Sequence, residues 1–209
     1  MELDGQEIHA QLIGQFNAYN LLAIYATAIL LGEQKEEVLI ALSGLKTATG
    51  RFEQMHGPDH KMAIVDYAHT PDALKNVLET INTIRTQNEE LITVVGCGGD
   101  RDISKRPKMG AIAAALSTKV IFTSDNPRNE NPATIIDAIE KGVPGEYFSK
   151  TISISDRKQA IKAACQLANE GDIILIAGKG HETYQEIKGK RFGFDDFKII
   201  NELLKALNK

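Results

Sequence analysis

Short apolar runs with helical periodicity between them constrain this chain more than any other feature. Ala63-Ile64-Val65, Leu91–Val95 and Val120–Thr123 are each followed by a helical pattern, and Ile173–Ala177 comes later. A βαβα alternation of this kind predicts an α/β fold, a Rossmann-like, mostly parallel sheet with helices on both faces.

The helix starts carry physical signatures. Thr70 is placed to cap and Pro71 fits the first helical position, after which Leu74, Val77, Leu78, Ile81 and Ile84 follow the 3.6 period. Asn131-Pro132 repeats this start ahead of Ile135, Ile136 and Ile139, and Gly142 is a stop. Asp156 with Gln159 resembles a capping box, with Ala160, Ile161, Ala164 and Leu167 facing the core. Ile152 to Ile154 is suited to an edge strand. Tyr184 to Phe194, with Gly189 inside it, reads as a hairpin, and Asp195 or Asp196 opens a last helix through Leu204.

The first stretch differs. Residues 7–14 alternate like a strand, 16–31 form a long helix ending at Gly32, and 35–42 form another. About 45 residues are too few for an independent two-layer domain. A boundary near Thr47–Gly50 therefore divides the chain into residues 1–48, the tail of a domain whose beginning is absent, and residues 49–209. Apolar side chains on the first helix (Leu21, Leu22, Ile24 and Ile29) are expected at an exposed surface that favours association.

Composition excludes several classes. The net charge is −4, without a long basic block, so nucleic acid and anionic membrane gain no support as partners. No apolar run reaches the roughly 20 residues that span a bilayer. Cys97 and Cys165 lie far apart without a CxxC, the usage of a reducing cytosol, so a cytoplasmic location is expected. The five histidines are scattered, and no metal site is expected.

Chemistry concentrates in four loops that follow the strands, the edge at which open parallel sheets bind ligands. They are residues 66–71, 96–101, 124–128 and 178–182. Gly96 to Asp100 is not GxGxxG, which argues against a nicotinamide site. Arg101 beyond it suits a carboxylate, or is an exposed residue of a tight turn. In Asp125-Asn126-Pro127-Arg128, Pro127 stiffens the loop and Arg128 offers a planar fork for a carboxylate. The same run fits a turn with a surface salt bridge. Gly178-Lys179-Gly180 lacks the length of a Walker A loop, and Glu182 suits a substrate ammonium better than a metal. His69 and Asp66 have no serine or cysteine nucleophile tied to them.

Together GRFEQ at 50–54, VDYAHTPDAL at 65–74, GCGGDRDISKRPKMG at 96–110, SDNPRNENP at 124–132 and AGKGHETYQ at 177–185 resemble the C-terminal domain of Mur ligases. LIGQFNAYNLLA at 12–23 resembles the end of that family's central ATP-binding domain. The resemblance implies ATP-dependent amide bond formation in peptidoglycan precursor synthesis. ATP phosphorylates the terminal carboxylate of a UDP-N-acetylmuramoyl peptide, Mg2+ and lysines steady the charge, and an incoming amine attacks the acyl phosphate. It further implies that Asp125, Asn126, Pro127 and Arg128, with Arg101, Gly178 and Glu182, hold the amino acid. The DNPR form resembles the version that adds meso-diaminopimelate to the UDP-N-acetylmuramoyl-dipeptide, and an arginine is a natural partner for that amino acid's second carboxylate. Asn20, Arg51 and Asp66 resemble nucleotide contacts.

The family's UDP-binding domain and phosphate loop have no counterpart in the chain. ATP and Mg2+ are therefore expected to be held mainly by the central domain. The chain is expected to behave as a fragment that folds over residues 50–209 without turning over ATP unaided, and no catalytic residue is assigned. Alternatives are a lysine-adding or folylpolyglutamate-type ligase, or a non-catalytic amino-acid-binding module.

Overall fold

The computed structural model describes residues 1–86 and 88–206. The chain divides into two compact units, Met1–Ala48 and Thr49–Lys209. In the first unit, β1 (Glu2–Leu3) and β2 (Gln6–Glu7) form a small antiparallel hairpin. It is followed by α1 (Gln15–Leu30) and α2 (Lys35–Ser43). The strand expected over residues 7–14 is absent apart from Glu7. Asp4 and Gly5 both adopt positive φ, 51° and 77°, so the Asp-Gly pair turns the chain back and pairing stops at Glu7. Leu3, Ile8, Leu21, Tyr25, Val38, Leu39 and Leu42 form this unit's core. Leu21 thus lies inward, against expectation, because it shares a face with Tyr25 four residues on. Leu22, Ile24 and Ile29 are exposed as anticipated.

The second unit is built on a six-stranded sheet. In chain order its strands are β3 (Glu53–His56), β4 (Met62–Asp66), β5 (Leu91–Val95), β6 (Lys119–Phe122), β7 (Thr151–Ser153) and β8 (Ile173–Ala177). Their spatial order is β3-β4-β8-β5-β6-β7. Only β3 runs antiparallel to its neighbour. The strand β3 escapes recognition in the sequence because Glu-Gln-Met-His is polar throughout, as an edge strand tolerates.

Between the strands lie α3 (Pro71–Ile84), α4 (Lys105–Leu116), α5 (Pro132–Glu140) and α6 (Arg157–Leu167). The hairpin of β9 (Tyr184–Ile187) and β10 (Lys190–Gly193) and the final helix α7 (Asp196–Ala206) follow β8. The hairpin turn is Lys188-Gly189, both at positive φ. Helices start where side chains accept orphan N–H groups: Thr70 from Ala73, Asn131 from Ala133, Asp156 from Gln159 and Asp195 from Lys198.

Strand alternation divides the core. Ala63, Val65, Ile92, Val94, Ile121, Ile174 and Ile176 face α6 and α7, where Ala160, Ile161, Ala164, Cys165, Ile200 and Leu204 meet them. Leu167 and Ile84 fall outside their helices' buried stripes and are exposed. The helices α3, α4 and α5 pack side by side on the opposite face, as right-handed crossovers moving steadily across the sheet require.

Beneath the end of β8, Arg157 and Asp196 form a fully buried two-pronged ion pair at 2.9 and 2.7 Å, and Arg157 also donates to the Ala177 carbonyl at 3.0 Å. Removing one member strands a charge in the interior. Asp196→Ala is expected to cost about 3–5 kcal/mol, read as a lowered urea midpoint, with an unchanged midpoint contradicting the assignment.

Candidate functional site

The strand β8 is made last but lies between β4 and β5. The loops after β4 and β5 lead to α3 and α4 on one face, while the chain after β8 leads to α7 on the other. Strand ends that diverge in this way leave a crevice. A cavity of about 510 Å³ lies there, lined by loop residues that include Arg101, Asp125, Asn126, Arg128 and Glu182.

The loop after β6 is held rigidly. Asn126 is 2% exposed. Its Oδ1 accepts from the Lys179 ammonium at 3.1 Å and from the Glu186 N–H at 2.9 Å, and its Nδ2 donates to Glu182 Oε2 at 2.8 Å. Two obligate donors at Oδ1 fix which way the amide faces. Lys179 Nζ also donates to Glu182 Oε2, at 2.9 Å. Gln185 Nε2 donates to the Asp125 carbonyl at 2.7 Å.

Arg128 is a non-glycine residue at φ 49°, a conformation that costs of order 1–3 kcal/mol and persists where its surroundings enforce it. Its N–H donates to the Glu186 carbonyl at 3.0 Å and its own carbonyl accepts from Lys188 at 2.7 Å, which ties it to the hairpin. The guanidinium donates through Nη1 to the Gly99 carbonyl at 2.8 Å and lies 3.4 Å from Glu186 Oε2 through Nε. Among the described residues Nη2 has no partner, so one prong remains for a ligand.

Glycines let these loops approach. A Cβ on Gly99 would stand 2.0 Å from the Pro127 carbonyl oxygen, and one on Gly98 would stand 2.9 Å from Arg128 Nη1. Gly178 is at φ 117°, and a Cβ there would meet Asp125 Oδ2 at 2.9 Å. Farther along, Glu130 Oε1 accepts from Arg106 at 2.8 Å and from the Asp100 N–H at 2.6 Å, and Asn129 donates to Asp100 at 2.7 Å. The Arg106 hydrogen bond, with help from the Asp100 N–H, holds the Glu130 carboxyl below its ordinary value.

The predicted residues fall into four groups. Arg101, Asp125, Asn126, Arg128 and Glu182 line the cavity, with Arg101 exposed at its mouth. Pro127 and Gly178 stand behind it, against Gly99 and Asp125 respectively. Arg51 and Asp66 do not line it but adjoin Tyr67, which does. Arg51 stacks on Tyr67 at 4.8 Å, and Asp66 Oδ2 accepts from the Phe52 N–H at 2.7 Å. Burial pushes the Asp66 carboxyl above its ordinary value, opposed by the N–H groups of Phe52 and Ala68 and the charge of Arg51. Asn20 belongs to the first unit, exposed on α1, where it bonds Asn17.

Lys179, Gln185 and Glu186 do not stand out in the sequence. The lysine sits in a run that invites comparison with a phosphate loop, and the other two read as ordinary hairpin residues. Cys97 lines the wall, and burial pushes its thiol up to about 11, so it is protonated at neutral pH and unsuited to nucleophilic attack. The arrangement is suited to binding, with guanidinium forks, a carboxylate and an amide among its lining groups.

A family model for the glutamate ligase domain of Mur ligases matches residues 50–180. The chain is 60% identical over 209 residues to UDP-N-acetylmuramoyl-L-alanyl-D-glutamate--2,6-diaminopimelate ligase of Cytophaga hutchinsonii, covering all of this chain and 43% of that protein. The protein of the same name from Bacteroides thetaiotaomicron is 52% identical over 203 residues, 97% of this chain and 42% of that protein. A solved structure of a ligase of that name superposes with a TM-score of 0.74 at 39% identity, covering 97% of this chain and 41% of that one. The chain thus spans about two fifths of the length of the curated relatives it matches.

Two outcomes follow from the geometry. Gly99→Ala is expected to destabilise by about 1–3 kcal/mol, read by thermal unfolding, because its new carbon meets a carbonyl. Glu130 has a lowered carboxyl, so its contribution is present above its ordinary value near 4.5 and is lost as pH falls through the lowered one. The stability gap between the native chain and Glu130→Gln should therefore narrow as the solution is acidified below pH 4.5. A gap that stays constant down to the acid transition contradicts this.

Proposed function

The chain belongs to the Mur ligase family, and from that premise we propose that its cavity receives the amino acid to be added, meso-diaminopimelate, in ATP-dependent synthesis of a peptidoglycan precursor. The partner in that reaction is the UDP-N-acetylmuramoyl-dipeptide, whose activated carboxyl the amino group attacks. Arg128 carries the reading. It is fixed in a strained conformation by backbone bonds to the hairpin, with Nη1 used internally and Nη2 left over. A guanidinium held in this way suits a carboxylate, and diaminopimelate has a second carboxylate where lysine has none.

The other residues divide the remaining work. Glu182 keeps Oε1 for a substrate ammonium while Oε2 serves Lys179 and Asn126. Asn126 has a second Nδ2 hydrogen for a carboxylate. Arg101 at the mouth offers a further positive charge. Asp125, Pro127 and Gly178 set the loop spacing.

ATP and Mg2+ belong to the reaction. Arg51 and Asp66, adjacent and linked through Tyr67, suit a nucleotide's phosphate and ribose groups. Magnesium finds no comparable donors, since among the described residues no group of three or more His, Cys, Asp or Glu side chains is placed to hold a metal. We also propose a cytoplasmic setting, in keeping with charged, water-soluble substrates. Among the described residues no helix is long and apolar enough to cross a membrane.

Calorimetry tests the reading. The chain is expected to bind meso-diaminopimelate more tightly than L-lysine, and Arg128→Ala is expected to weaken the former by about ten- to a hundredfold while leaving lysine little changed. Equal affinity for both amino acids in the native chain would reject the diaminopimelate assignment.

A further inference from the structure

The side chain of Lys179 is completely buried, although it lies in a glycine loop at the rim of a polar cavity and none of the ligand-facing roles needs it. A buried ammonium is retained only where its charge is compensated. Here Nζ donates to Glu182 Oε2 at 2.9 Å and to Asn126 Oδ1 at 3.1 Å, and lies 5.6 Å from the centre of the Tyr184 ring. We propose that Lys179 is a positioning residue, a fixed cation behind the site that aims the Glu182 carboxylate and the Asn126 amide at the amino acid. The proposal rests on the reading of the cavity as an amino-acid site.

The argument runs through the unused atoms. Glu182 Oε2 takes both Lys179 and Asn126, and among the described residues Oε1 accepts nothing. Asn126 spends Oδ1 on Lys179 and the Glu186 N–H and one Nδ2 hydrogen on Glu182. What remains is one carboxylate oxygen and one amide hydrogen on neighbouring side chains, an acceptor beside a donor. That pairing complements an ammonium beside a carboxylate on one α-carbon.

Lys179 is the member that makes this arrangement stable. Asp125 and Glu182 both line the cavity, and two acids facing one space repel each other. The buried guanidinium of Arg157 spends Nε and Nη2 on Asp196 and the Ala177 carbonyl, and its charge reaches Glu182 only through space. Among the described residues Lys179 is the cation that touches Glu182 directly. The glycines on either side of it, at φ 117° and 50°, turn the chain so that the lysine points inward while Glu182 returns over it. The Glu182 N–H closes the turn on the Lys179 carbonyl at 2.9 Å.

The test has one part that needs no ligand. In nitrogen-15 spectra of the native chain, the Lys179 ammonium protons are expected to exchange with water far more slowly than those of the exposed Lys188 and Lys190. Exchange as fast as theirs would overturn the proposal, and this measurement decides even where variants do not fold. In Lys179→Gln and Lys179→Met, the Asn126 side-chain amide and Glu182 carboxylate resonances are expected to move while distant amides keep their positions. Resonances that stay put would equally overturn it.

The second part is calorimetry with meso-diaminopimelate. Both variants are expected to bind about ten- to a hundredfold more weakly than the native chain, and unchanged affinity would reject the role. Absence of binding by the native chain would instead reject the amino-acid reading. The ligand-free spectra would then still decide whether Lys179 positions its two partners.

Discussion

A strand laid down last but inserted between two laid down early governs this molecule. From β4 onward each strand of the sheet is joined to the next in sequence by a helix, and as long as each crossover steps the same way those helices accumulate on one face. The step back from β7 to β8 places α6 on the other face and drives β8 between β4 and β5. The strand is apolar on both sides and wholly buried, so burial holds it there. Its outgoing loop emerges among loops that bend the opposite way. The cavity is a consequence of strand order before it is a consequence of any polar residue.

Topology opens the space, and hydrogen bonds between loops hold its shape. The chain after β5 is bolted to the chain after β6 by the Gly99 N–H to the Asn126 carbonyl, Arg128 to the Gly99 carbonyl, and Asn129 to Asp100. The hairpin of β9 and β10 then straps the second loop from outside through Glu186 and Lys188. The backbone strain of Arg128 is tolerable only inside such a frame. Packing in the layers below adds a second support, since the Arg157 and Asp196 pair fastens α6 and α7 under the carbonyl that ends β8.

The sheet and its helices were legible in the sequence because they depend on local patterns. Apolar runs, caps at Thr70, Asn131 and Asp156, and an Asn-Pro start each act within a few residues. The edge strand β3 was not legible, since its partner supplies what its own side chains do not. The alternation of residues 7–14 misled for the opposite reason: a period of two shows that a strand is affordable, while the Asp4-Gly5 turn decides how far pairing runs. Within the candidate site, loop residues with charge or stiffness stand out in the sequence as candidates. Lys179 does not, because its meaning lies in Asn126, which is distant in sequence, and in Glu186, which is equally so from Asn126. Relationships of that kind are written in tertiary contact alone.

The charge layout of the cavity narrows what fits it. Arg101, Lys105 and Arg128 line it, as do Asp102, Asp125 and Glu182, so these formal charges cancel. A neutral site built from full charges differs from an apolar one, because each charge keeps its own demand for a partner. A simple anion would satisfy the guanidinium groups and leave Glu182 facing it, while a simple amine would do the reverse. A molecule that carries carboxylate and ammonium groups in balance meets both demands without adding net charge. The placement refines this further: Glu182 and Asn126 adjoin each other, whereas Arg128 is anchored separately, against Gly99 and the hairpin. The two groups are therefore held by different parts of the loop frame. The direction in which Arg128 carries its charge is therefore set by its strained backbone and by the loop frame around it, and not by the depth or volume of the cavity.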